Sequence, residues 1–241
     1  MTPAESSDRL VELAVDDGTA MRAYVALPPA PRPCPGILVL QEAFGVNCHI
    51  RDVARRFAAA GFAAIAPELF HRTAPGFEGD YGDVAAVMPH VRAMTTAGNA
   101  ADLRAAFAWL ADQDAVDETR IAAVGYCMGG RAAWLANATL PLAASISYYG
   151  GDIAPTLLDR APRLSGPQLL FWGGRDARIL PEHCRAAEDA LRLAGKPYTS
   201  VVFSEARHGF FCDARPEYDA AAARESWALL TAFLRDHVLE S

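Results

Sequence analysis

Short continuous runs of apolar residues alternate along this chain with longer segments of helical periodicity. The runs at residues 37–40, 62–67 and 121–126 have no helical spacing and are typical of parallel strands covered on both faces. Between the first two runs, residues 49–60 place their apolar side chains at helical intervals, and Gly61 ends the pattern. This alternation predicts an α/β fold with a mostly parallel central sheet and helices on both faces.

Two regions depart from this rhythm. Alternating stretches at residues 10–15 and 21–27 flank Asp16-Asp17-Gly18, a hairpin-turn signal, and we predict that both stretches are antiparallel edge strands. Residues 68–98 form an excursion that is rich in Pro, Gly and Asp, with isolated aromatic residues and one short helix near 84–94. Because such long connections are often functional, we expect this excursion to form part of a substrate pocket.

The rest of the chain returns to the alternating pattern. Strands are predicted at residues 142–149, 167–172 and 198–203, and helices at 99–110, 181–195 and 216–238. A chain of 241 residues can bury a sizeable core, and α/β folds of this length are commonly one domain. We therefore predict a single domain over residues 1–241.

The composition excludes several classes of protein. Hydrophobic residues make up 52% of the sequence and charged residues 21%, which indicates a packed globule. The net charge of −7 argues against binding to nucleic acid or an acidic membrane, since both require basic patches. The sequence has neither a bilayer-spanning stretch nor the basic, apolar start of a secretory signal. Its five cysteines are unevenly scattered and fit neither a disulfide framework nor a zinc finger, so we expect a reducing cytoplasm.

The apolar run at residues 121–126 ends in the motif Gly125-Tyr126-Cys127-Met128-Gly129, after which a helix begins. This is the nucleophile-elbow pattern with cysteine in the serine position, where a tight strand-to-helix turn pushes one side chain into a cleft. The positive end of the following helix favours a thiolate. The alternative is an inert structural cysteine beside a turn.

Two further residues follow predicted strands and complete a catalytic set. Asp176 and His208 come after the strands at 167–172 and 198–203, and the order nucleophile, acid, histidine is that of α/β-hydrolases. A free thiol is mostly protonated at neutral pH, so the histidine would serve as its base and the aspartate would orient the imidazole. Asp152, one strand earlier, is the competing acid. His71 also follows a strand, but no paired histidine spacing supports a metal site.

Glu42 follows the first interior strand directly, so it should border the same cleft. We predict that it faces Cys127, where a carboxylate would repel a permanent thiolate and keep the thiol protonated until substrate enters. The backbone N–H groups of Met128 and Ala43 are the predicted oxyanion-hole donors, because this fold uses these two positions.

Five stretches of the chain resemble signature sequences of the dienelactone hydrolase family, whose named activity is carboxymethylenebutenolidase. They are residues 41–47 (QEAFGVN), 61–70 (GFAAIAPELF), 125–130 (GYCMGG), 173–176 (GGRD) and 206–210 (ARHGF). The resemblance runs from about residue 10 to the C-terminus. It implies an α/β-hydrolase fold, a triad of Cys127, Asp176 and His208, and Glu42 as the partner of the resting thiol. It also implies lactone hydrolysis through an acyl-enzyme, without a cofactor.

The sequence departs from this family in the region that binds the substrate's carboxylate. Family members that act on chlorocatechol-derived lactones carry an arginine shortly after the histidine, and here the nearest is Arg215. Arg72, Arg92 and Arg131 are the other candidates. We therefore expect a small lactone or ester as substrate, and the sequence gives no oligomeric state. Two other functions stay open, namely a thiol redox or sensing protein and a non-catalytic binding protein on the same fold.

Overall fold

The computed structural model describes residues 7–29 and 33–240. In this part of the chain eight strands form a sheet in the order β1-β2-β4-β3-β5-β6-β7-β8. The strands are β1 (Ser7–Ala14), β2 (Ala20–Leu27), β3 (Cys34–Leu40), β4 (Ala63–Pro67), β5 (Val116–Tyr126), β6 (Ala144–Tyr148), β7 (Gln168–Gly173) and β8 (Tyr198–Phe203). The pairs β1–β2 and β2–β4 are antiparallel, whereas β3–β4, β6–β7 and β7–β8 are parallel. The predicted mostly parallel sheet is confirmed.

Seven α-helices alternate with these strands in the described residues. They are α1 (Cys48–Ala59), α2 (Val84–Ala93), α3 (Thr96–Ala111), α4 (Met128–Thr139), α5 (Ile153–Thr156), α6 (Pro181–Leu193) and α7 (Ala220–Leu234). A 3₁₀ turn, Leu158–Arg163, precedes β7, and a π turn, Arg235–Leu239, follows α7. None of these helices combines the length and apolar character that crossing a bilayer requires.

The chain divides into two compact units, Met1–Ala122 and Ala123–Ser241. The prediction of a single domain over residues 1–241 stays a prediction. In the first unit, the predicted hairpin is confirmed: β1 and β2 pair in register from Ser7 with Leu27 to Ala14 with Ala20. The expectation that both are edge strands was wrong for β2, because β2 also pairs with β4.

Helix α1 shows how the local sequence builds the first unit. The Asn47 side chain caps its first turn by accepting a hydrogen bond from the Ile50 N–H at 3.3 Å. Its apolar face, which includes Ile50, Val53 and Phe57, is buried, and the helix packs against β2, β3 and β4. Three turns of amphipathic helix thus cover one side of these strands.

The excursion at residues 68–98 contains the predicted short helix as α2, capped by the Asp83 side chain. Its best-defined anchor is Arg72, whose guanidinium donates to both oxygens of Asp102 on α3 at 2.9 and 2.8 Å. The same guanidinium donates to Asp17 in the β1–β2 turn at 2.7 Å. Asp102 is fully buried. The excursion is therefore tied to a helix and to the hairpin by one cation.

In the second unit, α4 packs against β6, and α7 packs against β7. Helix α7 begins at Ala220, four residues later than the predicted start at residue 216. The physical reason is Asp219, whose carboxylate accepts from the N–H groups of Ala221 and Ala222 at 3.0 Å and so fixes the helix start.

Candidate active site

Cys127 lies in the turn between β5 and α4 and has an unusual backbone conformation. Its φ of 56° and ψ of −116° are rare for a residue with a side chain. The turn is tight: a Cβ added at Gly125 would lie 1.8 Å from the Gly129 carbonyl oxygen. The Cys127 N–H donates to the Tyr148 carbonyl oxygen at the end of β6, at 3.0 Å. The strand-turn-helix geometry of a nucleophile elbow is therefore present.

His208 lies between Cys127 and Asp176 and contacts both. Its Nε2 is 3.0 Å from the Cys127 Sγ, and its Nδ1 is 2.7 Å from Asp176 Oδ2. The histidine and the aspartate are each 7% exposed, and the cysteine is half-buried. The structure thus brings together the three residues that the sequence grouped, in the order nucleophile, base, acid.

The acid and the base are held at neighbouring strand ends. β7 and β8 are adjacent and parallel, and the loops after them carry Asp176 and His208. These loops approach closely, because a Cβ at Gly174 would lie 2.5 Å from the Ser204 carbonyl oxygen. The Arg175 N–H bonds the Ala206 carbonyl oxygen at 2.9 Å. This contact fixes the distance between the two catalytic candidates.

The second oxygen of Asp176 is also occupied. Oδ1 accepts from the N–H groups of Arg178 and Ile179 at 2.7 and 3.1 Å. Burial disfavours the charge of this carboxylate, but the hydrogen bond and charge of His208 and these two N–H donors outweigh it, so its pKa is lowered. The competing acid, Asp152, is exposed at the start of α5.

His208 is surrounded by groups that favour its charged form. Burial alone would lower its pKa, but the negative charge of a Cys127 thiolate and the hydrogen bond with Asp176 outweigh burial and raise the pKa to about 10. A neutral imidazole accepts a proton from the thiol, and the imidazolium that results is stabilised on both sides. The arrangement can therefore form a thiolate–imidazolium pair.

The candidate residues Glu42 and Ala43 belong to the first unit, and their surroundings are described within that unit. Glu42 follows β3 and is 1% exposed. Its neighbour Gln41 accepts from the Leu69 N–H at 3.0 Å and donates to the Glu42 carbonyl oxygen at 3.2 Å. Gln41 therefore holds the Glu42–Ala43 segment against the start of the excursion. The roles of Glu42 and of the Ala43 N–H stay predictions, as does that of Met128, the first residue of α4.

The candidate substrate arginines differ in their surroundings. The guanidinium of Arg72 is already paired with Asp102 and Asp17, which gives it a structural task. Arg92 is exposed in the last turn of α2. Arg215 lies beside the residue that follows the histidine, since a Cβ at Gly209 would lie 2.5 Å from its Cζ, and its Nε is 3.4 Å from a Glu217 carboxylate oxygen.

His71, the remaining histidine singled out in the sequence, is buried and hydrogen-bonded. Its Nε2 is 3.0 Å from the Thr19 Oγ1, and its Nδ1 is 3.2 Å from the Glu68 carbonyl oxygen. These contacts give it a structural place beside the Arg72–Asp102 pair.

Sequence reasoning missed the contribution of the segment after β6. The Tyr148 carbonyl oxygen accepts a hydrogen bond from the backbone N–H of Cys127, and the Tyr149 ring centroid lies 5.1 Å from that of His208. The motif Tyr148-Tyr149-Gly150-Gly151 carries the signal, since paired glycines after a buried strand mark a tight turn at its carboxyl end. From the sequence, that turn predicts only the place of Asp152.

Comparisons with known proteins agree on one family. The profile described as "Dienelactone hydrolase family" matches residues 21–238. A protein of Methylorubrum extorquens, provisionally named carboxymethylenebutenolidase, is 35% identical over 240 residues, covering 94% of this chain and 80% of the relative.

Two solved structures extend this agreement to the fold. A crystal structure from Klebsiella pneumoniae, provisionally described as a dienelactone hydrolase, is 34% identical with a TM-score of 0.84, covering 95% of this chain and 98% of the other. A dienelactone hydrolase-like promiscuous phosphotriesterase from metagenomic libraries is 26% identical with a TM-score of 0.85, covering 97% of this chain and 99% of the other. The fold is thus that of the α/β-hydrolases.

Proposed function

Because this chain belongs to the dienelactone hydrolase family and is a hydrolase of ester or lactone bonds, we propose that it acts through a covalent acyl-enzyme on Cys127. The observation that carries this proposal is the continuous line of contacts from the Cys127 Sγ through His208 to Asp176, at 3.0 and 2.7 Å. This is the geometry in which a base activates a nucleophile and an acid orients the base.

In the first half-reaction His208 takes the thiol proton at Nε2, and the Cys127 sulfur attacks the carbonyl carbon of the lactone or ester. Asp176 keeps the histidine in the tautomer that carries its proton on Nδ1. As the C–S bond forms, the carbonyl electrons move to oxygen. The proposed donors to this oxyanion are the N–H groups of Met128 and Ala43. Support for Met128 is its position at the N-terminus of α4, directly after the nucleophile.

Collapse of the tetrahedral intermediate breaks the bond between the carbonyl carbon and the leaving oxygen, which receives the proton held by His208. In a lactone this oxygen stays in the acyl group, so the ring opens without loss of a fragment. The histidine then removes a proton from water, which attacks the thioester, and the thiol is regenerated with release of the acid. Each step uses only side chains, backbone N–H groups and water.

Glu42 is proposed to keep the resting thiol protonated. A buried carboxylate near a sulfur disfavours the thiolate by charge repulsion until substrate displaces one of the two groups. Support comes from its burial directly after β3. In Glu42→Gln we expect iodoacetamide to alkylate resting Cys127 faster than in the wild type. An unchanged labelling rate would remove Glu42 from the mechanism.

The substrate is proposed to be a small lactone or ester, and Arg215 is the best-placed candidate to bind a carboxylate on it. Its guanidinium packs against Gly209, one residue from the proposed base. Because the five cysteines are all free thiols, a reducing cytoplasm is the proposed location.

The proposal is tested by intact-protein mass spectrometry after mixing with p-nitrophenyl acetate and, separately, with a dienelactone. We expect one acyl adduct on Cys127 together with product release, and none in Cys127→Ala. Cys48→Ala is the matched control, since Cys48 is the exposed thiol and its loss should change neither adduct nor turnover. Turnover retained in Cys127→Ala would reject the acyl-enzyme.

A further inference from the structure

Tyr148 and Tyr149, two consecutive residues at the end of β6, make contacts that involve all three proposed triad members or the strands that carry them. The Tyr148 carbonyl oxygen accepts the Cys127 N–H at 3.0 Å, and the Tyr149 N–H donates to the Phe171 carbonyl oxygen on β7 at 2.8 Å. β7 is the strand that leads to Asp176. The Tyr149 ring lies against His208, with the centroids 5.1 Å apart and the planes at 58°. The Tyr148–Tyr149 dipeptide therefore contacts the turn that carries Cys127, the strand that leads to Asp176, and the ring of His208.

The backbone of Tyr149 has a strained, left-handed conformation. Its φ of 37° is one of three positive values among the non-glycine residues described, and Cys127 is another. Bulky side chains avoid this region, and such outliers persist where the surrounding structure enforces them. The side chain is fully buried, and its ring packs edge-on with Phe210 at a centroid distance of 5.2 Å. The ring thus has little freedom to move away from the histidine.

We propose that Tyr149 is a positioning residue for His208, whose aromatic ring fixes the imidazole between Cys127 and Asp176 and stabilises the imidazolium formed when the thiol is deprotonated. This inference rests on the proposed function, because it assumes that His208 is the base. Its support is the ring contact, the strained backbone that provides it, and the packing with Phe210.

The physical basis is twofold. The ring occupies the volume into which the imidazole would otherwise rotate, so that Nδ1 and Nε2 stay aligned with their partners. The electron-rich face of an aromatic ring also attracts a cation whose charge centre lies within about 6 Å. Within the second unit, the titratable groups that face His208 are Cys127 and Asp176, and both raise its pKa. The Tyr149 ring carries no charge, but its attraction for the imidazolium would also raise this pKa. Neither effect requires the phenol hydroxyl.

The test compares Tyr149→Phe, which keeps the ring, with Tyr149→Leu, which removes it. Two readouts are used: steady-state kinetics, and titration of His208 in the resting enzyme by NMR of ¹⁵N-histidine-labelled protein, with His208→Gln for assignment. We expect Tyr149→Phe to stay within about threefold of wild-type kcat, and Tyr149→Leu to lose about tenfold in kcat with KM changed less than about threefold. The His208 pKa should fall in Tyr149→Leu alone.

Phe203→Leu is the matched control, since it removes a ring from the same cluster. Phe203 contacts Phe171 and Phe210 at centroid distances of 6.1 and 5.4 Å. The Phe203→Leu variant should have a lower melting temperature than the wild type, and its His208 should titrate as in the wild type. If Tyr149→Leu does not fold, Tyr149→Met fills more of the ring's volume and gives the same comparison.

Two results would overturn the proposal. One is a folded leucine or methionine variant with wild-type titration of His208 and wild-type kcat, which would make Tyr149 a packing residue only. The other is an equal loss in the phenylalanine and leucine variants, which would assign the effect to the hydroxyl. Because the titration needs no substrate, it remains decisive even if the wild type forms no acyl-enzyme, and that failure would count against the proposed function alone.

Discussion

The carboxylate of Asp176 uses its two oxygens for two different tasks. Oδ2 accepts from His208, and Oδ1 accepts from two backbone N–H groups that fix the carboxylate plane. In Asp176→Asn the two backbone N–H donors keep the amide oxygen, so the amide N–H₂ faces His208 Nδ1 and favours the tautomer with its proton on Nε2, which cannot accept the thiol proton. We expect kcat to fall by about 10³-fold or more with little change in KM. Steady-state kinetics on p-nitrophenyl acetate measures this.

Asp152→Asn is the matched control for that variant, because Asp152 follows the neighbouring strand and is exposed. Its activity should stay close to that of the wild type. A loss in Asp152→Asn that equals the loss in Asp176→Asn would contradict the assignment of the acid.

The pKa of His208 predicts the alkaline limit of activity. The pKa is raised to about 10 by the charge of Cys127 and the bond with Asp176, which together outweigh burial. In the proposed mechanism the imidazolium donates its proton to the leaving oxygen, so the rate should fall as pH rises through this value. In Asp176→Asn the limb should move to lower pH, because one of the groups that favour the charge is lost. A profile of kcat/KM against pH between about pH 5 and 11, which reports the ionisation of the free enzyme, records both limbs.

The same shift has a consequence for stability. A folded-state pKa above the ordinary value of about 6.5 means that the histidine contributes stability below about pH 6.5 and that this stability is lost as pH rises toward 10.

If another group sets the alkaline limit of activity, this limit will stay at the same pH in Asp176→Asn. That outcome would contradict the assignment of the limit to His208.

At the scale of the element, the elbow depends on the absence of a side chain at position 125. A Cβ there would lie 1.8 Å from a backbone oxygen of α4, which cannot move without displacing the helix start. We expect Gly125→Ala to destabilise the fold by about 3 kcal/mol or more and to abolish turnover. Denaturant unfolding of the purified variant measures the first effect.

Gly151→Ala is the control for this substitution, because a Cβ at that position would meet nothing within 4 Å. It should change stability by less than about 0.5 kcal/mol. Comparable losses in the two variants would show that the close approach of strand and helix is not the cause.

The excursion supplies the second prediction at this scale. Arg72→Ala leaves the fully buried carboxylate of Asp102 without its cation, and an unpaired buried charge costs about 3–5 kcal/mol. Arg104→Ala is the control: Arg104 also joins α3 to the β1–β2 turn, through Asp16, but this pair is exposed and contributes less than about 1 kcal/mol. Thermal unfolding of both variants separates the cases. Equal losses would mean that Asp102 keeps another partner or becomes neutral.

Element boundaries show what the sequence could predict. β8 was predicted at its observed residues, and the hairpin was found from Asp16-Asp17-Gly18, because a strand period and a turn motif are local signals. The start of α7 was misjudged because the capping bonds of Asp219, rather than hydrophobic periodicity, determine it. Helix α3 starts at Thr96 and not at residue 99 for the same reason, since the Thr95 side chain caps it.

The site was predictable to the extent that chain order determines it. Residues that follow neighbouring parallel strands meet at one edge of the sheet, so Cys127, Asp176 and His208 could be grouped without coordinates. Side-chain direction was not predictable. The contact of Tyr149 with the histidine depends on a left-handed backbone at a tyrosine, which no propensity favours.

At the scale of the whole molecule, acid should unfold the protein through its carboxylates. The pKa of Asp17 is lowered to about 2, chiefly by hydrogen bonds from Thr19, and those of Asp117 and Asp176 are also lowered. A lowered folded-state pKa gives stability above the ordinary value of about 4, and this stability is lost as pH falls through the folded-state pKa. Asp102 has the opposite sign, since burial raises its pKa.

We therefore expect the melting temperature to be nearly constant between about pH 7 and 5 and to drop between about pH 4 and 2. Asp17→Asn should flatten this drop. Asp16→Asn is its control, because Asp16 binds Arg104 at the surface rather than Thr19. Equal slopes in all three proteins would show that Asp17 does not contribute to acid unfolding.

At position 127 the proposed activity and the stability of the turn favour different residues, because the backbone of Cys127 is left-handed. Glycine adopts a φ of 56° without the penalty of about 1–3 kcal/mol that a side chain incurs there. Cys127→Gly is therefore expected to lose the proposed acyl transfer and yet to unfold at a higher denaturant concentration than its parent. On this proposal, the reactive thiol is held at a position whose own turn would be more stable without it.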